Sequence, residues 1–188
     1  MVINKKNNVN NQLDITVIWW RRRILVVVFV VLHWENKSTR VEVMDERIKN
    51  IKTPDGCEKF SKNAIRLGQP ELAIEAQRRA IELRAEGHSV QTDAEKEALK
   101  AIYAYEEILT EKNGRRTRAN RTWQMITRRG IIEAVNRVVA RKDDAIGYIL
   151  LKKKGMEDLS FEAVVLRYPQ IFSEEAVSHA EERISKHD

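Results

Sequence analysis

From residue 53 onward the apolar side chains of this chain recur at intervals of three and four, the signature of amphipathic helices. Local start and stop signals punctuate them. Thr53-Pro54-Asp55 supplies an N-cap, a proline at the first helical position and an acid in the first turn. Cys57, Phe60, Ala64 and Leu67 then share a stripe that Gly68 ends, and Pro70 opens a helix carrying Leu72, Ile74, Ala76, Ala80, Ile81 and Leu83 up to Gly87. Thr92 and Glu95 have the spacing of a capping box, in which each side chain satisfies the other's backbone donor. The helix they start predicts Leu99, Ile102, Tyr103, Tyr105, Ile108 and Leu109 on its buried side, with Asn113-Gly114 as a left-handed stop.

The same pattern continues to the end of the chain. A helix running from about Thr117 buries Trp123 and Ile126, and the next, from Ile131, buries Val135, Val138 and Val139. Ile146 to Leu151 is helical up to Gly155; Asp158 or Ser160 starts a helix with Phe161, Val164, Val165 and Tyr168 that Pro169 closes; Ser173-Glu174-Glu175 caps the last, through Val177, Ala180 and Ile184. The expectation is an all-α protein, a compact bundle of about seven or eight short helices whose brief loops make sequential helices neighbours in space.

Composition supports that reading and bounds it. The 188 residues suffice for one domain with a real core, and 33% charged against 43% apolar residues is a globular mix. Aromatics at 6% argue against a β-sandwich or barrel, and one cysteine, Cys57, excludes a disulfide framework or a cysteine-rich zinc site. Such cysteine usage fits a reducing compartment, so a cytoplasmic location is expected.

Residues 1–43 read differently from the helical body at 44–188. An Asn-rich start leads to Ile18-Trp19-Trp20, three arginines (Arg21 to Arg23) and an unbroken apolar run from Ile24 to Leu32. Extended to Trp34, that run spans about 16 Å as a helix, against roughly 30 Å of hydrocarbon, which argues against a membrane span. Its valines and flanking tryptophans favour a β-strand. Three readings stand: a non-native leader with Met44 as the true start, a buried or pairing strand, and a membrane anchor.

Charge is the strongest functional lead. Ten basic side chains and one acid, Glu133, lie between residues 112 and 142, a local charge of +9. Residues 1–43 carry +4, so the rest of a molecule whose total is +6 holds −7. Eight of the ten are arginines: Arg115, Arg116, Arg118, Arg121, Arg128, Arg129, Arg137 and Arg141. A planar guanidinium grips phosphate or carboxylate with two parallel hydrogen bonds, which an ammonium cannot do. On a helical wheel Arg118, Arg121, Met125, Arg128 and Arg129 fall within about 100°, with Ala119, Trp123 and Ile126 in a sector roughly 110° away. The stretch therefore predicts an arginine-rich face for nucleic acid, DNA or RNA. The alternatives are an acidic surface of a protein partner and pairing with acids of the same molecule.

Other motifs add little. Residues 64–83 resemble the middle of a tetratricopeptide unit, but no second copy follows, so a helical hairpin is expected. The arrangement of helix, Gly130 and helix resembles a helix-turn-helix, with Ile126 and Asn136 departing from its core pattern. Arg84 with His88, and Arg183 with His187, are similar to the arginine–histidine motif of small helical ribonucleases at a spacing one residue short, which leaves a small helical nuclease as a minor alternative. No glycine-rich phosphate loop, metal-ligand spacing or nucleophile signature occurs, and no cofactor or metal is expected. The chain reads as non-catalytic. Because every capped, periodic helix lies beyond residue 44, a chain beginning at Met44 should melt close to the full-length protein. A midpoint lower by more than about 10 °C would place the early apolar run in the core.

Overall fold

The computed structural model describes residues 44–141 and 146–187. The leader, strand and anchor readings, and Lys142, lie outside the described residues. Within them are nine α-helices: α1 (Glu46–Lys49), α2 (Pro54–Arg66), α3 (Pro70–Glu86), α4 (Asp93–Asn113), α5 (Asn120–Arg129), α6 (Ile131–Val139), α7 (Ile146–Lys153), α8 (Phe161–Arg167) and α9 (Glu174–His187). Single 3-10 turns at Glu157–Leu159 and Pro169–Ile171 link α7 to α8 and α8 to α9. The all-α expectation holds, and the eight helices longer than a single turn match the expected number.

The longest helix organises the rest. At 21 residues α4 is about 31 Å long. Its buried positions Ala94, Ala98, Ala101 and Ala104 are small, so neighbouring helices approach it closely. Ala98 and Ala101 meet Val135 and Val139 of α6, Val164 and Val165 of α8, and Ala176 and Ala180 of α9. Ala104 and Ile108 join Ile81 of α3, Leu151 of α7 and Met156. Leu99 and Ile102 pack with Ala85 of α3. α2 and α3 form the expected hairpin, closed by Leu67, Gly68 and Gln69.

Local signals set the boundaries. Thr53 Oγ1 accepts from Gly56 N at 3.2 Å, and Thr92 and Glu95 form the predicted capping box. At the end of α7 Gly155 takes φ 67°, its amide donates to Lys152 O at 3.0 Å, and Met156 N reaches back to Leu151 O at 2.9 Å. That is a Schellman stop, and its accompanying apolar contact is present because Leu151 and Met156 share a cluster. Leu67 departs from expectation. α2 ends at Arg66, so Leu67 leaves the stripe of Cys57 and Ala64 and stands 67% exposed.

Ion pairs fasten helices that the apolar clusters only bring together. Arg78 grips Asp158 with two hydrogen bonds of 2.7 and 2.6 Å, joining α3 to the turn before α8. Arg167 of α8 pairs with Glu97 of α4, and Arg183 of α9 with Glu162 of α8. Arg84, its side chain only 11% exposed, bridges Glu58 of α2 and Glu107 of α4. Burial opposes its charge, but the two carboxylates outweigh that and hold its pKa above the ordinary value. Arg84→Ala should therefore strand two carboxylates and cost about 3–5 kcal/mol. A denaturant melt checks it; a change under about 1 kcal/mol would mean that solvent screens the bridge.

Candidate nucleic-acid interface

The predicted basic segment occupies the loop after α4, all of α5, and α6 with the residue beyond it. Gly114 ends α4 in the left-handed conformation, as expected. The loop is then tied back to α4: Thr117 N donates to Thr110 Oγ1 at 3.0 Å, and Asn113 Nδ2 to Thr117 Oγ1 at 3.1 Å. Asn120 N bonds Arg118 O at 2.9 Å around Ala119, whose φ −76° and ψ 62° describe an inverse γ-turn. The helix therefore begins at Asn120 and not near Thr117. Arg115, Arg116 and Arg118 belong to the loop, so the helical sector assumed for Arg118 does not apply.

One carboxylate holds this geometry. Glu106 Oε1, on α4, accepts from Ala119 N at 2.9 Å and from the Trp123 indole Nε1 at 2.7 Å. The first bond fixes the entry to α5 and the second fixes its first turn. Trp123 is half-buried rather than a full core residue, packed at the edge of the Ala85, Leu99 and Ile102 cluster. Its ring is already engaged: His88 stacks on it at 5.5 Å between centroids, and the Arg118 guanidinium lies over it at 4.9 Å. Tyr103 accompanies them, its hydroxyl 2.6 Å from His88 Nε2. Burial, and then the neighbouring Glu106 charge, push the Tyr103 phenol above its ordinary pKa.

All eight predicted arginines are exposed. Arg137 pairs with Glu133 one turn back, at 2.6 Å, and is the one member neutralised among the described residues. Arg115, Arg116, Arg118, Arg121, Arg128, Arg129 and Arg141 have no carboxylate partner among the described residues. Pairing with acids of the described residues therefore does not account for them. Arg78, Arg84, Arg167 and Arg183 instead pair with Asp158, Glu58, Glu107, Glu97 and Glu162.

The fold also brings four of them together. Arg121, Arg128 and Arg129 of α5 converge with Arg141, which follows α6, around an open cavity of about 480 Å³. Gln124 and Met125 complete its lining, and the Arg141 Nη2 rests 4.0 Å from Met125 Sδ. Gly130 makes this possible. It is the only residue between α5 and α6, and its φ of 86° and ψ of 167° turn the chain where a β-carbon would be strained. A one-residue link is shorter than a helix-turn-helix turn. Asn136, which departs from that motif's pattern, joins α6 to the cap of α9 instead. Its Oδ1 accepts from Ser173 N and Oγ, each at 2.9 Å.

The ribonuclease-like pairs do not form free arginine–histidine sites. Arg84 is spent between two carboxylates, and Arg183 donates to Glu162 and to the Arg141 carbonyl. Among the described residues no group of three or more His, Cys, Asp or Glu could hold a metal ion, and no helix is long and apolar enough to cross a membrane. No protein family, curated protein or solved structure matches the chain.

Sequence reasoning missed Glu106. A signal was present: Glu106 lies one turn after buried Ile102, so it shares the inward side of α4. Removing its carboxylate leaves the Ala119 amide and the indole N–H without their acceptor. Glu106→Ala should cost about 2–4 kcal/mol, and amide exchange at Ala119 and in the first turn of α5 should accelerate. Glu106→Gln, which keeps an acceptor oxygen, should lose less; equal losses would mean that the charge rather than the geometry matters.

Proposed function

We propose that this protein is a non-catalytic, cytoplasmic nucleic-acid-binding protein. It engages the phosphate backbone through Arg115, Arg116, Arg118, Arg121, Arg128, Arg129 and Arg141. The observation that carries the reading is the convergence on one cavity of four guanidiniums that, among the described residues, have no carboxylate partner and no acid beside them in the lining. Each such group offers a rigid fork of donors that matches two phosphate oxygens. Gln124 beside them adds neutral donors for phosphate or base.

The test is a triple substitution, Arg121→Gln, Arg128→Gln and Arg129→Gln. Glutamine keeps helix propensity nearly unchanged, and these side chains have no carboxylate partner to lose, so stability should stay within about 1 kcal/mol. Affinity for nucleic acid should fall at least tenfold, and the slope of log affinity against log salt should shrink by about two to three units. Wild-type protein that binds no nucleic acid near 50 mM salt would overturn the reading and favour an acidic protein surface as the partner of the same face.

A further inference from the structure

Adjoining the arginine-lined cavity is a second of about 510 Å³, lined by residues of α4, α5, α7 and α8 among others. Arg121, Met125 and Arg141 line both, so the two share a rim. The size falls within the range of small-molecule sites. Its wall includes the rings of Tyr105 and Phe161, tilted at 51° with centroids 6.4 Å apart, and Gly147 of α7 packed beside Tyr105. A charged group also lines it. Glu162 is only 6% exposed; its Oε1 accepts from Arg183 Nη1 at 3.0 Å, and its Oε2 accepts nothing from the described residues.

Those three features specify an occupant. An aromatic wall takes a flat ring, because stacking and apolar burial reward one. A deeply placed carboxylate oxygen without a donor favours a ring that brings an N–H, since an acyl chain would leave that oxygen desolvated against methylenes. Arginines at the rim, Arg118, Arg121 and Arg141, favour an anionic group attached to that ring. A nucleotide has all three in one covalent unit. We propose that the cleft receives an unstacked base, its N–H edge toward Glu162 and its phosphate among the rim arginines.

This inference rests on the nucleic-acid reading and narrows it to single-stranded nucleic acid. A duplex keeps its bases paired and stacked, so it would engage the outer arginines while leaving the cleft empty. A free nucleotide presents the same chemistry and is the other source of such a ligand.

The experiment compares four probes near 50 mM salt: a labelled single strand, the same strand made abasic, its duplex, and free nucleoside monophosphates. Full-length wild type is set beside Gly147→Leu. A β-carbon at Gly147 would lie 3.4 Å from Tyr105 Cδ2, an ordinary contact, and leucine suits a helix interior better than glycine. The variant therefore fills the cleft without removing a polar group. Wild type should bind the single strand roughly tenfold tighter than the duplex, the abasic strand should fall to the duplex level, and Gly147→Leu should erase the preference while duplex binding persists. Glu162→Gln, checked by melting, should weaken single-strand binding in the same direction. Equal binding of strand, abasic strand and duplex, unchanged by Gly147→Leu, would overturn the cleft inference and leave the arginine surface standing. Binding of free nucleotides alone, lost in Gly147→Leu, would uphold the cleft and overturn the nucleic-acid reading. No binding of any probe would overturn both.

Discussion

A single carboxylate oxygen, Glu106 Oε1, decides how this molecule displays its positive charge. A segment with ten basic residues and one acid has little internal reason to adopt a fixed shape. The structure fixes it through its neutral atoms. The Ala119 amide and the Trp123 indole N–H both converge on Glu106, and Thr117 is fastened to Thr110 one turn further along α4. Because these anchors use backbone and indole donors, they leave the guanidiniums around them without a carboxylate among the described residues. The acid that anchors the basic loop is spent on geometry rather than on neutralisation. A half-buried acceptor of two hydrogen bonds also escapes much of the desolvation cost that an unpaired carboxylate would bear at that position.

The arginines accordingly divide into two populations with different roles. Arg78, Arg84, Arg167 and Arg183 are partly buried, paired, and each joins one element to another. These bridges act mainly as registration devices. A partly exposed pair contributes little net stability, whereas removal of one partner of the buried Arg84 bridge is expensive. The second population lies in the loop, on α5 and after α6, exposed and without carboxylate partners among the described residues. Its mutual repulsion is a modest cost on stability in water, and it sets up a field that extends about a Debye length, roughly 10 Å at 0.1 M salt.

The contrast between what the sequence predicts and what the fold requires follows the same division. Helix starts at Pro54, Pro70, Asp93 and Phe161, and stops at Gly68, Gly114 and Gly155, were legible because a cap or a left-handed glycine acts within one turn of chain. The start of α5 was not legible. A γ-turn at Ala119, held by a residue thirteen positions earlier, replaces the local cap, and nothing in Thr117-Arg118-Ala119 announces it. Leu67 was misplaced because the apolar spacing runs one residue past the point where the helix ends before Gly68. Trp123 has the right side but the wrong depth: the wheel gives direction, and only the packing of His88 and Arg118 on the ring gives burial. The exposure of the candidate arginines was readable from their polarity. Their convergence depends on the one-residue turn at Gly130, which folds Arg141 back beside α5.

The boundary of the basic patch bears on which kind of partner it suits. Arg137 is excluded by Glu133, one turn away on its own helix, and the patch ends there. Arg121 and Arg128 lie two helical turns apart, a rise of about 10 Å, comparable to the screening length, so an approaching anion meets their charges as one field. Arg129 and Arg141 widen that field across the helix rather than along it. An acidic protein surface would have to place several carboxylates at once over this area, each desolvated and each with its own side-chain entropy to lose. A phosphate chain carries its charges on one covalent backbone and releases condensed counterions as it binds, so successive contacts gain entropy where a protein partner loses it. For a set of guanidiniums spread over a loop, a helix and a following turn, that difference favours the polymer.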